Sequence, residues 1–381
     1  MSGVEWIWQQ PDWPDFTWRV DVLSASLRAC VQAQGKLLGM AGAIDPGDEL
    51  RGQLDTLLQN IITSSAIEGE TLNVASVRSS LARRLGLPPD GKSNARSEGV
   101  AELLLDATCN VDQPLTLGRL FDWHQQLFPD DALLLHGAMH VGGLRGDEPM
   151  QVVSGRLDRP RVHFEAPPRA GLEAQLERFL QWFAVSRTDP TLDPLLRAGI
   201  AHFWFVTLHP FDDGNGRLTR AITDLALAQA DGQAIRLYAM SASILDDRSG
   251  YYRVLEASQK GELDITVWLQ WFLATLLDSQ QQAIARIERL LIKARFWQRH
   301  RDVVFSSEQT KVLNRLLDGG ERGFADGISA SQYQAVAKVA KATATRHLTD
   351  LLEKGCIEKL PGGRTRRFSS HLPRFSHLHV R

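Results

Sequence analysis

The chain has 381 residues, 43 Lys and Arg against 45 Asp and Glu, and three cysteines. That length supports two or three domains with a sizeable core, and the balanced charge excludes a chain that coats nucleic acid over its whole surface. Cys30, Cys109 and Cys356 are odd in number and far apart, which excludes a disulfide framework or a zinc spacing and points to a reducing, cytoplasmic setting. The opening residues carry no basic stretch followed by an apolar run, so no secretory leader is expected. No apolar run reaches membrane-spanning length.

The start is rich in aromatics and proline: Trp6, Trp8, Trp13 and Trp18 are four of the ten tryptophans, and Pro11 and Pro14 lie among them. This composition predicts an extended arm, pinned to its own core or offered to a partner. Helices are expected from Val20 to Ile44 and from Leu50 to Ile62, with a break at Asp45-Pro-Gly-Asp48. Ser64-Ser-Ala-Ile-Glu68-Gly69 follows, with Gly69 suited to the residue just past a helix end. Read locally, this is a fraying end with solvated glutamates. Further helices are expected over Val74–Leu87, Glu98–Ala107 and Thr116–Leu127. His124, in the last of these, reads as structural. Glycines from Gly137 to Gly155 then forbid a helix, and Gln151-Val-Val-Ser with Arg161-Val-His-Phe reads as a hairpin. Such a hairpin is marginal alone and must lie on something. Pro167-Pro168 introduces an amphipathic helix from Leu172 to Val185.

Leu195 to Leu208 is almost wholly apolar and reads as a buried helix, which Pro210 stops. A polar loop, His209-Pro-Phe-Asp-Asp-Gly-Asn-Gly216, leads into a second helix whose apolar face carries Leu218, Ile222 and Leu225. Its start, reached through Gly214 and Gly216, offers unpaired N–H groups to an anion. Arg217 and Arg220 share one helix face and can grip successive phosphates. Asp213 suits a Mg²⁺ bridging phosphate oxygens. His209 is the natural base for a hydroxyl proton, and Phe211 reads as a plug.

The run from His209 to Arg220 resembles the signature of the Fic family, His-Pro-Phe-x-Asp/Glu-Gly-Asn-Gly-Arg-x-x-Arg. The resemblance implies a helical core and transfer of AMP from ATP to a protein hydroxyl. It implies His209 as base, Asp213 as metal ligand, and Gly214, Asn215 and Gly216 as anion cradle. Arg217, Leu218, Thr219 and Arg220 complete the phosphate side. Gly216 sets the chain apart from the Doc-like, phosphate-transferring branch, which has lysine there. It also gives Ser64–Gly69 a sharper meaning, as the inhibitory helix of family members that lock themselves, with Glu68 as the locking acid and Ser64 and Gly69 framing it. The hairpin becomes a flap that docks a target by strand addition, with Val162 nearest the nucleotide. Tyr251 and Tyr252 resemble the adenine-side wall, and Gln259 a base- or ribose-contacting amide. The tryptophan-rich start resembles a segment found on a bacterial subgroup of the family.

Helices are also expected over Tyr251–Gln259, Asp264–Leu277 and Ser279–Trp297. From Arg301 onward the net charge is +6, leaving −8 for the rest. Helices at Ser307–Leu317, Ser331–Ala337 and Thr343–Lys354, then two strands around Pro361-Gly-Gly363, resemble a winged helix–turn–helix. Lys341, Thr343, Thr345 and Arg346 would face a major groove, with Arg364, Arg366 and Arg367 on phosphates. Such a module can equally pack on protein.

The expected fold is mainly α: a Fic-type helical core with a small β-hairpin flap, and a C-terminal winged helix–turn–helix domain. Three divisions are expected, 1–97, 98–298 and 299–381. The expected function is a protein adenylyltransferase using ATP and Mg²⁺ on Ser, Thr or Tyr hydroxyls, itself included, and inhibited by Glu68. Competing readings are a DNA-binding regulator that uses the core as a nucleotide sensor, transfer of UMP or another phosphate-linked group, and AMP removal. No membrane partner is expected, and a homodimer is left open.

Overall fold

The computed structural model describes residues 6–44, 46–129, 139–156, 159–231, 237–318, 324, 327–360 and 367–370. The chain divides into two compact units, Met1–Gly39 with Asp45–Ala283, and Met40–Ile44 with Ile284–Arg381. No helix of the described residues is long and apolar enough to cross a membrane.

The first unit is helical around one hairpin. Its helices are α1 (Val20–Ala41), α2 (Pro46–Ile67), α3 (Val74–Arg84), α4 (Ala95–Cys109), α5 (Leu117–Leu127), α6 (Leu172–Val185), α7 (Pro194–Leu208), α8 (Asn215–Asp231), α9 (Met240–Asp246) and α10 (Arg248–Ser258). Most of residues 1–97, expected as a division of their own, fall in this unit, residues 40–44 excepted, and α2 packs on α3, α4, α8 and α9. The expected break at 45–48 is shorter than read. Pro46 already starts α2, since a first-turn residue needs no N–H partner. Ser241 and Ser243 lie buried inside α9. One helix, α11 (Thr266–Arg299), replaces two expected ones, as nothing between Leu277 and Ser279 breaks it.

The centre of the unit is α7. Asp193 caps it by accepting from Leu195 N at 2.8 Å, Pro194 opens it, and every residue from Leu195 to Leu208 is buried. It packs on α8, and Phe179, Phe203, Phe205, Trp268 and Phe272 fill the space around them. Gly199 is required here, because a Cβ would press on Leu269 and Phe272 at about 3 Å.

The hairpin pairs β1 (Gln151–Arg156) with β2 (Arg159–Glu165) antiparallel, with a bulge between Val152 and Val153. The tryptophan arm backs it. Trp6 packs edge-on against Phe164 at 5.5 Å, and Trp8 Nε1 donates to the Glu165 carbonyl at 2.7 Å. The arm also donates from Ile7 N to the Gln259 carbonyl and from Thr17 N to the Leu263 carbonyl, both at 2.9 Å. The aromatic start is therefore pinned to its own unit, and that is what supports an otherwise marginal hairpin.

In the second unit, α12 (Ser307–Asp318), α13 (Ala330–Ala337) and α14 (Lys341–Glu353) pack with Phe296, Ile328, Tyr333, Leu348 and Cys356 at their core. Ser329 and Gln332 form a capping box at the start of α13. Lys338, at φ 54°, makes the tight turn into α14. Three strands rather than two follow the order β3 (Ile328–Ser329), β5 (Arg367–Ser370), β4 (Ile357–Lys359), all antiparallel. Lys341, Thr345 and Arg346 are exposed on α14 and Thr343 is half-buried. Arg364 and Arg366 lie outside the described residues, and Arg367 opens β5.

Candidate active site

The loop between α7 and α8 is held from inside. The Asn215 amide accepts from Phe211 N at 3.0 Å and donates to the Phe211 carbonyl at 2.7 Å, closing the loop on itself. His124 lies beneath, stacked on Phe211 with ring centres 4.4 Å apart. Its Nε2 meets the Asp213 carbonyl at 3.1 Å and its Nδ1 accepts from Gly142 N at 3.0 Å. A carbonyl can only accept, so Nε2 carries the proton and the ring is neutral; burial keeps its pKa low. Arg145, which the sequence reading passed over, is buried under the same loop. Its Nε donates to the His209 carbonyl at 2.9 Å and its N–H to the Pro210 carbonyl at 3.0 Å.

His209 caps α7 with φ 48° and ψ 57°, a left-handed conformation uncommon for a residue other than glycine. That turn swings the ring out of the helix line. Nδ1 lies 3.1 Å from the Val206 carbonyl, so Nδ1 bears the proton and Nε2 keeps its lone pair. Burial pushes the imidazole pKa below its usual value, against the opposing pull of Glu68 and Asp213. The base form therefore persists at lower pH than for a free imidazole, whose pKa is about 6.5. For any reaction in which this imidazole serves as the base, the acid limb of the rate profile is accordingly expected below pH 6.5, where plain histidine titration would put it; a pH–rate series checks this.

The start of α8 faces an acid. Helix α2 ends in a Schellman turn: Gly69 N–H bonds the Ala66 carbonyl at 3.0 Å and Glu70 N–H the Ser65 carbonyl at 3.0 Å, with Gly69 at φ 81°. The turn aims Glu68 at the first turn of α8. Its Oε1 lies 2.7 Å from Arg220 Nη2 and so close to Gly216 that a Cβ there would collide with it. Ser64 supports the same arginine, its Oγ accepting from Nε at 2.8 Å and its carbonyl from Nη2 at 2.9 Å. Tyr252 Oη reaches Glu68 Oε2 at 3.4 Å. Desolvation would raise the Glu68 pKa, but Arg220, Arg217 and His209 outweigh it and hold the carboxyl below its usual range. Glu70, a solvated glutamate in the local reading of the sequence, instead takes the other arginine. Arg217 Nη1 donates to both Glu70 oxygens at 2.9 Å, and Arg96 pairs with Glu70 from α4. In this structure one turn thus occupies both arginines.

These groups border a cavity of about 700 Å³ whose lining includes Glu68, His209, Asp213 and Gly216, the hairpin, and Tyr251, Tyr252 and Gln259. Several expected contacts move. Val162 does not line it; its strand neighbours Arg161 and His163 do, together with Val153 and Ser154 of β1. Leu218 and Thr219 are wholly buried: the Leu218 N–H already bonds the Gly214 carbonyl and Thr219 Oγ1 the Asn215 carbonyl. The Asn215 side chain is committed to the loop. Tyr251 lines the cavity while nearly wholly buried, its hydroxyl held at 3.1 Å by His202 Nε2. Gln259 donates to Thr207 Oγ1 at 3.1 Å.

Asp213 is more than half exposed, 3.6 Å from Arg217 Nη2. Among the described residues, no three His, Cys, Asp or Glu side chains group to hold a metal by themselves. One exposed carboxylate beside an anion site still fits Mg²⁺, which takes one or two carboxylates and completes its shell from phosphate and water.

A helix start, a histidine with a free Nε2 and a hairpin border one cavity, and Arg217 and Arg220 lie buried behind the same helix start, an arrangement suited to an anion beside a base. Residues 114–227 match the Fic/DOC family, and the chain carries a Fic/DOC domain. Residues 6–87 match a domain of unknown function, DUF4172. The chain is 27% identical over 219 residues to proteins from Drosophila melanogaster and Drosophila sechellia, each named protein adenylyltransferase Fic. The match covers 56% of this chain and only 39% of those relatives. Among solved structures, a Fic family protein from Desulfovibrio desulfuricans G20 is similar over 94% of this chain and 98% of its own, at 21% identity and TM-score 0.51. A Fic domain containing signaling protein from Bacteroides thetaiotaomicron is similar over 68% of this chain and 97% of its own, at 19% identity and TM-score 0.52. These likenesses show the fold.

Proposed function

We propose that the chain transfers AMP from ATP to hydroxyls of Ser, Thr or Tyr in proteins, and that Glu68 inhibits it. The observation that carries this reading is the pairing, on one cavity, of a histidine with a free Nε2 and an anion-binding helix start. Nε2 of His209 takes the proton of the incoming hydroxyl. The phosphates lie against the first turn of α8, where Arg217 and Arg220 balance the charge of the departing ones. Mg²⁺ would be held by Asp213 together with the phosphates and would neutralise their charge. Gly216 fits the AMP-transferring resemblance, since a larger residue would fill the space beside the helix start. The relatives' names support adenylyl transfer over the competing chemistries. Intact-mass measurement after incubation with each nucleoside triphosphate tests the donor: a UMP adduct, or none from ATP, would overturn the reading.

Asp213→Ala is expected to weaken the Mg²⁺ dependence of ATP binding, read by titrating ATP with and without Mg²⁺. Arg217→Ala is expected to lower transfer even at saturating ATP, because its role lies with the leaving phosphates. Kinetics unchanged in both would move the nucleotide site elsewhere.

For residues 299–381 the favoured reading is a winged helix–turn–helix that binds duplex DNA. Its support is the run of exposed Lys341, Thr345 and Arg346 on α14, together with the net positive charge of the tail. The full chain is then expected to shift duplex DNA with a steep salt dependence. No shift at low salt would reassign the module to protein contacts.

A further inference from the structure

The hairpin carries a relay that adenylyl transfer to an outside target does not use. Ser154 on β1 is exposed, and its Oγ lies 2.5 Å from His163 Nε2 on β2. His163 Nδ1 lies 2.7 Å from Glu256 Oε2 on α10. Glu256 also accepts from Lys260 Nζ at 2.8 Å and lies 3.5 Å from Arg161 Nη2. Lys260 first, then His163, hold its carboxyl down at about 2, so at neutral pH it can only accept. The proton between His163 and Glu256 therefore sits on Nδ1, and Nε2 offers its lone pair to the Ser154 hydroxyl. A hydroxyl, a base within reach and a carboxylate fixing the tautomer of that base make up an activated nucleophile. Ser154 and His163 line the same cavity as His209 and Gly216.

We propose that Ser154 is an acceptor for AMP within its own cavity, activated by His163 and Glu256. The proposal rests on the transferase reading above. In the step, Ser154 Oγ bonds the α-phosphorus of ATP and the bond from that phosphorus to the β-phosphate's bridging oxygen breaks. Pyrophosphate leaves with that electron pair, and the hydroxyl proton passes to His163 Nε2. Glu256 balances the imidazolium that results. The product is a phosphodiester on the flap, which would place a nucleotide across the edge where a target strand docks. His163 is a base for this hydroxyl and Glu256 its positioning residue.

Two measurements on the full-length chain test this. In the first, a Glu68→Gly chain is incubated with ATP and Mg²⁺ and its peptides are mapped by mass. AMP is expected on Ser154, at a rate unchanged by dilution because donor and acceptor share one molecule. The rate should fall about 10²-fold in His163→Gln, as for loss of a general base, and the adduct should vanish in Ser154→Ala. In the second, a fluorophosphonate, a phosphorus electrophile that needs no ATP, is expected to label Ser154 in the unaltered chain and far less in His163→Gln. AMP only on other residues, or a Ser154 rate indifferent to His163 or proportional to protein concentration, overturns the proposal and leaves transfer standing. Fluorophosphonate labelling with no AMP anywhere on the chain or on added protein overturns the transferase reading and the acceptor role with it, while keeping the relay.

Discussion

Replacing His209 by Ala in a Glu68→Gly chain is expected to lower AMP transfer to added protein by about 10²- to 10⁴-fold, the usual worth of a general base. ATP affinity should hardly move, because the proposal gives the phosphates to α8 and its arginines and only the incoming hydroxyl to the imidazole. The position has a second duty that must be separated from the first. His209 ends α7 in a left-handed conformation, its N–H bonded to the Phe205 carbonyl at 3.2 Å and its carbonyl to Arg145 Nε. Asn tolerates that backbone better than Ala and cannot act as a base. His209→Asn should therefore match His209→Ala in lost transfer while melting closer to the parent. Labelled-ATP incorporation into a protein acceptor pool, with thermal denaturation alongside, reads both. Transfer at the parent rate in either variant would remove His209 from the mechanism.

What could be read from the sequence follows how local each feature is. Helix α7, the stop at Pro210 and the polar loop were legible because each depends on neighbours along the chain: an unbroken apolar run, a proline and a glycine pair. The family motif puts Leu218 and Thr219 on the nucleotide side. Helical period places them one and two residues past Arg217, on the side that packs into the core, and the apolar pattern from Leu218 to Leu225 already said so. Val162, nearest the nucleotide in the family resemblance, lies outside the cavity lining while Arg161 and His163 beside it belong to it, and the register shift at Val152/Val153 in the same hairpin leaves no sure mark in sequence. The pairings of Glu70 with Arg217, Arg145 with the His209 carbonyl and His163 with Glu256 span 147, 64 and 93 residues, beyond any periodic signal. The Trp6–Phe164 contact was foreseen only in kind, as an aromatic arm seeking an apolar surface.

Glu68→Gly is expected to raise AMP transfer by about 10²-fold, the loss that a misplacement of roughly 1 Å at the reacting centre can cause. Glu68 holds a negative charge against Arg220 and the start of α8. On the proposed reading that is the ground of a phosphate of ATP, and the acid would confine ATP to a pose whose α-phosphate is out of line with the hydroxyl. Removing it frees the arginine and the helix start together. Arg220→Ala should not imitate the effect, since it discards the phosphate ligand along with the lock. Glu70 adds a second catch: it binds Arg217 through both oxygens and is itself held by Arg96. An arginine paired in that way is less ready to meet a phosphate. Glu70→Gln, which keeps the shape and removes the charge, should therefore raise transfer further when added to Glu68→Gly, through a lower KM for ATP. Alone it should do little, because Glu68 still blocks the helix start. Labelled-ATP incorporation by the parent, the two single variants and the double variant at equal protein concentration decides the order of the two catches. Equal or lower incorporation by Glu68→Gly would return Glu68 to a solvated helix end, and a double variant no faster than Glu68→Gly would leave Glu70 as a strut for the turn.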